Sequence, residues 1–160
     1  MDTINGLPAH PLLVHIVVIA VPVAALTVIV SVLWPRARAW LGPTPAILTL
    51  LALIAVPIAT SAGEALEKSL GAEPSETLAN HIHYGDMVIL WVGPLFGLAA
   101  LWWLLTSPRV ADARDRYLGA GVLRWTTVIV GIVTVIVALG SIAIVVSVGE
   151  LGAESVWGRR

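Results

Sequence analysis

Cysteine is absent from the chain. Its absence excludes disulfides, a cysteine-ligated iron–sulfur cluster, c-type haem attachment and thiol catalysis. Charge is scarce as well. Asp, Glu, Lys and Arg make up 12% of the 160 residues, against about 25% in a soluble domain. The formal net charge is −1 and no polybasic run is present, so nothing points to nucleic acid. There is no H-E-x-x-H, no P-loop and no dinucleotide fingerprint, and Ser61 and Ser141 lack a G-x-S-x-G context.

Apolar residues fill the space that charge leaves. They form 58% of the chain, and the mean hydropathy is +0.94. No charged residue occurs from Thr3 to Pro35, Ala39 to Gly63, Met87 to Pro108, or Trp125 to Gly149. Each window exceeds the about 18 residues that signal a membrane-spanning helix. A helix buried in a soluble protein would show a polar stripe, and these windows show almost none. The first window lacks a basic n-region and an A-x-A-like cleavage site and is too long for a signal peptide. The pattern predicts one all-α domain over residues 1–160. Its spans are Pro11–Leu33, Thr44–Ala62, His83–Thr106 and Leu123–Val148. With no charge deep in any span, a pump or ion-coupled transporter has no relay to use.

Orientation follows from the arginines. Arg36 and Arg38 follow the first span, and Arg109, Arg114, Arg116 and Arg124 separate the third from the fourth. Elsewhere the basic residues are Lys68, Arg159 and Arg160. The positive-inside rule puts the first and third connections in the cytoplasm and both termini outside. Trp34, Trp40, Trp102, Trp103 and Trp125 then form a belt at the inner interface, with Tyr84 and Trp157 at the outer one. Short connections favour an up-down four-helix bundle. Glu-Pro-Ser-Glu at Glu73–Glu76 reads as a helix start leading into the third span. Pro22, Pro57 and Pro94 lie inside spans, as membrane helices tolerate. Gly93 with Gly97, and Thr127 with Gly131, have the spacing that permits close helix contact, expected here within the monomer.

The chain has four histidines, His10, His15, His81 and His83. In this topology all of them fall at the outer ends of the first and third spans. A lone histidine there is ordinarily solvated or bonded to a carbonyl; four on one side point to a shared site. His15 sits about one turn inside the first helix. His10 precedes Pro11 and is expected to be extended or in a turn. His81 and His83, if helical, point about 200° apart, so one imidazole from each of two helices is the easier geometry. Imidazole suits zinc, copper and haem iron. Glu64 and Asp86 are placed to accept from the second nitrogen of a ligating histidine, or to serve as solvated or capping charges.

The run Gly6-Leu7-Pro8-Ala9-His10-Pro11-Leu12-Leu13-Val14-His15 resembles the opening signature of a bacterial four-helix membrane family known as domain of unknown function 2231. Thr60-Ser61-Ala62-Gly63 and the histidine-bearing start of the third span resemble later family features. The family's proline soon after the second histidine is here Ile16-Val17, with the nearest proline at Pro22. The resemblance implies His10 and His15 as the family's histidines. Fusions of some members to Rieske-type or cytochrome-type domains imply membrane electron transfer. The expectation is a multi-pass protein of the bacterial plasma membrane that binds haem b for electron transfer with a redox protein outside. Its axial pair is expected to be His15 with His81 or His83. A zinc or copper site at the same histidines is the alternative. A non-catalytic subunit of a membrane complex, or a homodimer, is the third.

Overall fold

The computed structural model describes residues 3–4, 7–71 and 75–158. Gly6, Glu73, Pro74, Arg159 and Arg160, which the sequence reading used, lie outside the described residues. Two short strands, β1 (Thr3–Ile4) and β2 (Leu7–Pro8), pair antiparallel and lead into α1 (Ala9–Leu33). Next come α2 (Pro35–Leu41), α3 (Thr44–Leu70) and α4 (Glu76–Thr106). A 3-10 turn (Pro108–Val110), α5 (Ala111–Tyr117) and α6 (Ala120–Trp157) complete the chain. Four helices, α1, α3, α4 and α6, are long and apolar enough to cross a membrane.

The helices begin and end on residues whose chemistry suits those places. Pro35 opens α2 and Pro45 falls in the first turn of α3, where a missing N–H costs nothing. Ser75 caps α4, its Oγ accepting from the Leu78 N–H at 3.3 Å. Gly71 ends α3 at φ +62°, the left-handed conformation glycine adopts without penalty.

Three helices overrun the expected spans. α3 continues past Gly63 to Leu70, α4 starts at Glu76 rather than His83, and α6 covers 38 residues. At about 1.5 Å per residue α6 is about 57 Å long, well beyond the about 30 Å hydrocarbon core. Charge marks where lipid stops, but Glu64-Ala65-Leu66-Glu67-Lys68 are strong helix formers and carry the backbone on into water. At the other end of the chain, α1 starts at Ala9, so His10 is helical rather than extended. Pro11 then lies in the first turn of α1, where its ring obstructs no earlier turn.

α1 packs against α3 and α6, and α4 packs against the same two, so α1 and α4 face each other across the bundle diagonal. The start of α1 meets the end of α3, and the start of α4 meets the end of α6. This is the up-down arrangement. Its core is built from small side chains, among them Ala24, Ala25, Ala52, Val56, Val92 and Ala138. Large aliphatics such as Ile19, Leu90 and Ile136 face outward. That inversion is how membrane helices pack: lipid solvates the large side chains, and small ones let backbones approach. Buried Thr49, Thr134 and Ser31 donate to carbonyls of their own helices. α1, α3 and α4 remain continuous through Pro22, Pro57 and Pro94.

The close contacts are tryptophan against glycine. The Trp102 ring lies on Gly131, where an added Cβ would sit 3.0 Å from Cζ3, and Trp91 lies on Gly140. Gly93 and Gly97 have nothing within 4 Å of an added Cβ. The expected intramolecular seam at those two glycines is therefore corrected. Pro94 and Gly97 are on an exposed face of α4, and Leu95 and Ala99 turn inward instead.

Candidate functional site

His10 is on the first turn of α1 and His81 on the second turn of α4. The diagonal placement of these helices brings the two imidazoles together at one end of the bundle. Their ring centroids are 6.1 Å apart and their planes are inclined at 78°. Each ring is anchored in the same way. His10 Nδ1–H donates to the Ala59 carbonyl of α3 at 3.0 Å, and His81 Nδ1–H donates to the Val148 carbonyl of α6 at 3.0 Å. A carbonyl only accepts, so each Nδ1 carries a proton, and in the neutral ring Nε2 keeps the lone pair.

Both rings lie over a glycine one turn beyond the accepting carbonyl. A Cβ at Gly63 would come 2.9 Å from His10 Cε1, and a Cβ at Gly152 would come 3.0 Å from His81 Cε1. The construction is thus duplicated: a carbonyl and a glycine four residues later form a seat for one imidazole, once on α3 and once on α6. Gly63→Ala or Gly152→Ala is expected to push its histidine by a few tenths of an ångström. If the pair ligates a cofactor, its affinity should then fall about tenfold, the lower end of what outer ligand partners cost, as read by titration. An unchanged affinity in both variants would show that the seats do not position the rings.

Two cavities flank the imidazoles and share His10, Thr60, His81 and Gly85 as walls. One has a volume of about 100 Å³ and is lined also by Glu64, Glu67 and Asp86. The other, about 60 Å³, is lined by valines, from the buried Val56 and Val88 to the exposed Val18. The pair therefore has an acid-lined space on one side and an apolar one on the other.

The remaining histidines are placed elsewhere. His15 is exposed, and its Nδ1–H donates to the Pro11 carbonyl of its own helix. His83 is exposed and meets Tyr84 edge-on, with ring centroids 5.6 Å apart. The pair assembled is thus His10–His81, in place of His15 with His81 or His83. Among the described residues no three His, Asp or Glu side chains converge on a metal position. Glu64 and Asp86 line the histidine cavity, but carbonyls rather than these carboxylates take the Nδ1 protons. Sequence reasoning missed Glu67, Gly152 and the two accepting carbonyls. Only the Thr60-Ser61-Ala62-Gly63 run pointed toward one of the glycine seats.

The donor set discriminates among metal centres. A structural zinc site closes with four protein ligands, and a catalytic one uses three. Haem iron bound by two histidines needs only two trans imidazoles, because the macrocycle supplies the other donors. One nitrogen per ring at about 2.0–2.1 Å from a shared metal sets the centroids about 6.2–6.4 Å apart, close to the spacing here. Two imidazoles are a donor set that suits the group, and the spacing of 6.1 Å at 78° is also that of an ordinary edge-on aromatic pair. The fold and the pair together define a class: a four-helix chain with membrane-length spans and a diagonal imidazole pair near one end. No family model matches the chain, and no curated protein or solved structure does.

Proposed function

We propose that the chain is a b-type cytochrome of the bacterial plasma membrane, in which His10 and His81 would hold the haem iron. The observation that carries the reading is the pair itself: two imidazoles, each fixed through Nδ1–H to a carbonyl, each with Nε2 free, 6.1 Å between centroids. Haem supplies one-electron chemistry when bound. His10 and His81 would hold the iron, and the carbonyls of Ala59 and Val148 fix the orientation of their rings. The resemblance of Gly6–His15 to domain of unknown function 2231 supports the same reading through His10, which belongs to that run.

Arg36, Arg38, Arg109, Arg114, Arg116 and Arg124 lie at the bundle end away from the imidazoles. By the positive-inside rule that end is cytoplasmic, so the pair and both termini face outward. Glu64, Glu67 and Asp86 give the outer mouth an acidic rim that suits a redox partner presenting lysine or arginine.

A second reading is a copper or zinc ion at the same two imidazoles, with Glu64 or Asp86 of the adjoining cavity, or water, completing its coordination. Haem quantification by pyridine haemochrome, with metal analysis on the same purified sample, decides between them. The cytochrome predicts one haem per chain and no stoichiometric copper or zinc. One copper or zinc per chain without haem replaces it with the ion site.

A further inference from the structure

A further space beside the helices is at the other end of the molecule from the histidines. It is a cavity of about 260 Å³ between the α1–α2–α3 junction and the end of α4. Its walls include Arg38, Arg109, Ser31, Ala46, Ala99 and Trp102. Arg38 sits with its guanidinium carbon 5.3 Å from the centre of the Trp102 ring. No Asp or Glu lines the cavity, and among the described residues no carboxylate pairs with Arg38 or Arg109.

A second observation concerns Trp102. The residue is 6% exposed, and its Nε1 is a buried donor with no partner among the described residues. The opposite edge of the indole, through Cζ3, packs on Gly131 of α6. Nε1 is closed off in this conformation, so the cavity is lined by other atoms of the ring. Arg38, half-buried over the indole, and the exposed Arg109 line the same cavity with no carboxylate among its walls, so an anion entering it meets two basic side chains. A neutral ligand would leave both without a counter-charge there.

We infer that this cavity binds a phosphate group, and that its source is the headgroup of an anionic phospholipid. Arg38 and Arg109 neutralise the phosphate, the Trp102 ring supports Arg38 from below, and Ala46 and Ala99 adjoin the glycerol and first acyl carbons. The source follows from depth. Trp34, Trp40 and Trp125 are exposed at the same end, and such tryptophans sit at headgroup level. The cavity is therefore at the layer where lipid phosphates are concentrated, and basic pockets between helix ends on the cytoplasmic side are suited to them. The inference is independent of the imidazole pair.

The test is native mass spectrometry of the full chain in neutral detergent. Phosphatidylglycerol, phosphatidylcholine of the same acyl chains, and inorganic phosphate are titrated separately. Wild type should retain phosphatidylglycerol at least about fivefold more tightly than phosphatidylcholine. Arg38→Gln and Arg109→Gln should each weaken phosphatidylglycerol about fivefold, the equivalent of about 1 kcal/mol per basic residue at an anionic surface. Arg116→Gln, an exposed arginine outside the cavity, should change nothing. Equal retention of the two lipids by wild type, or equal losses in Arg38→Gln and Arg116→Gln, would overturn the site. Displacement of phosphatidylglycerol by an equimolar amount of inorganic phosphate would overturn the lipid as its source.

Discussion

His10→Ala and His81→Ala are each expected to abolish measurable cofactor binding, while His15→Ala and His83→Ala leave it within about twofold of wild type. The asymmetry is structural. His10 and His81 are the two rings that meet across the diagonal, each with one nitrogen anchored and the other free. His15 and His83 are exposed, the first bonded to its own helix and the second against Tyr84. Losing one of two protein ligands should exceed the about 10–100-fold cost of losing an outer partner of a ligand. Absorbance titration of each purified variant with haemin reads the affinity, and circular dichroism confirms the helical fold. Equal losses in His15→Ala and His10→Ala would mean that the wrong pair has been assigned.

Gly140→Ala should be the most destabilising single-methyl change in the bundle. The added Cβ would overlap Cζ3 and Cε3 of Trp91 and come 2.7 Å from Cη2. Overpacking of this kind costs about 1–3 kcal/mol, here at the closely packed α4–α6 interface. Gly93→Ala, on a face where the new Cβ touches nothing, should be neutral or slightly stabilising through helix propensity. The two variants are compared by their unfolding midpoints in an SDS titration followed by circular dichroism. In a Trp91→Leu background the Gly140→Ala penalty should shrink, since contacting residues are not additive. A Gly140→Ala midpoint equal to that of Gly93→Ala would refute the tryptophan-on-glycine account of the interface.

Much of the architecture was legible because lipid imposes a simple rule. Uncharged windows longer than a bilayer leave one reading, and short proline-bearing connections make consecutive helices antiparallel. Helix ends were less legible, since hydropathy reports the lipid boundary and not the backbone. The segment from Glu64 to Lys68 is helical yet polar, and so was read as a connection. His10 was misplaced for a local reason: the rule that a residue before proline avoids the helix was outweighed by an imidazole bond to Ala59, 49 residues away.

The site was half legible. Four histidines at one end followed from the arginine asymmetry, and helical geometry required His81 and His83 to diverge. Which imidazole of α1 meets which of α4 depends on rotation about each helix axis. That rotation is set by packing of nearly equivalent small side chains, such as Ala24, Ala52 and Ala59. No periodic signal records it, because the outward face of α1 is as apolar as the inward one. The Gly63 and Gly152 seats were obscured for the same reason: glycine in a membrane helix carries no mark of what lies on it.

The most direct test of the cytochrome assignment is a dithionite-reduced minus oxidised absorption spectrum of wild type and of His10→Ala, both purified after haem supplementation. The account predicts a sharp b-type α band and a Soret shift in wild type, both missing in the variant. A folded wild-type protein that shows no Soret band after haem is supplied would contradict it.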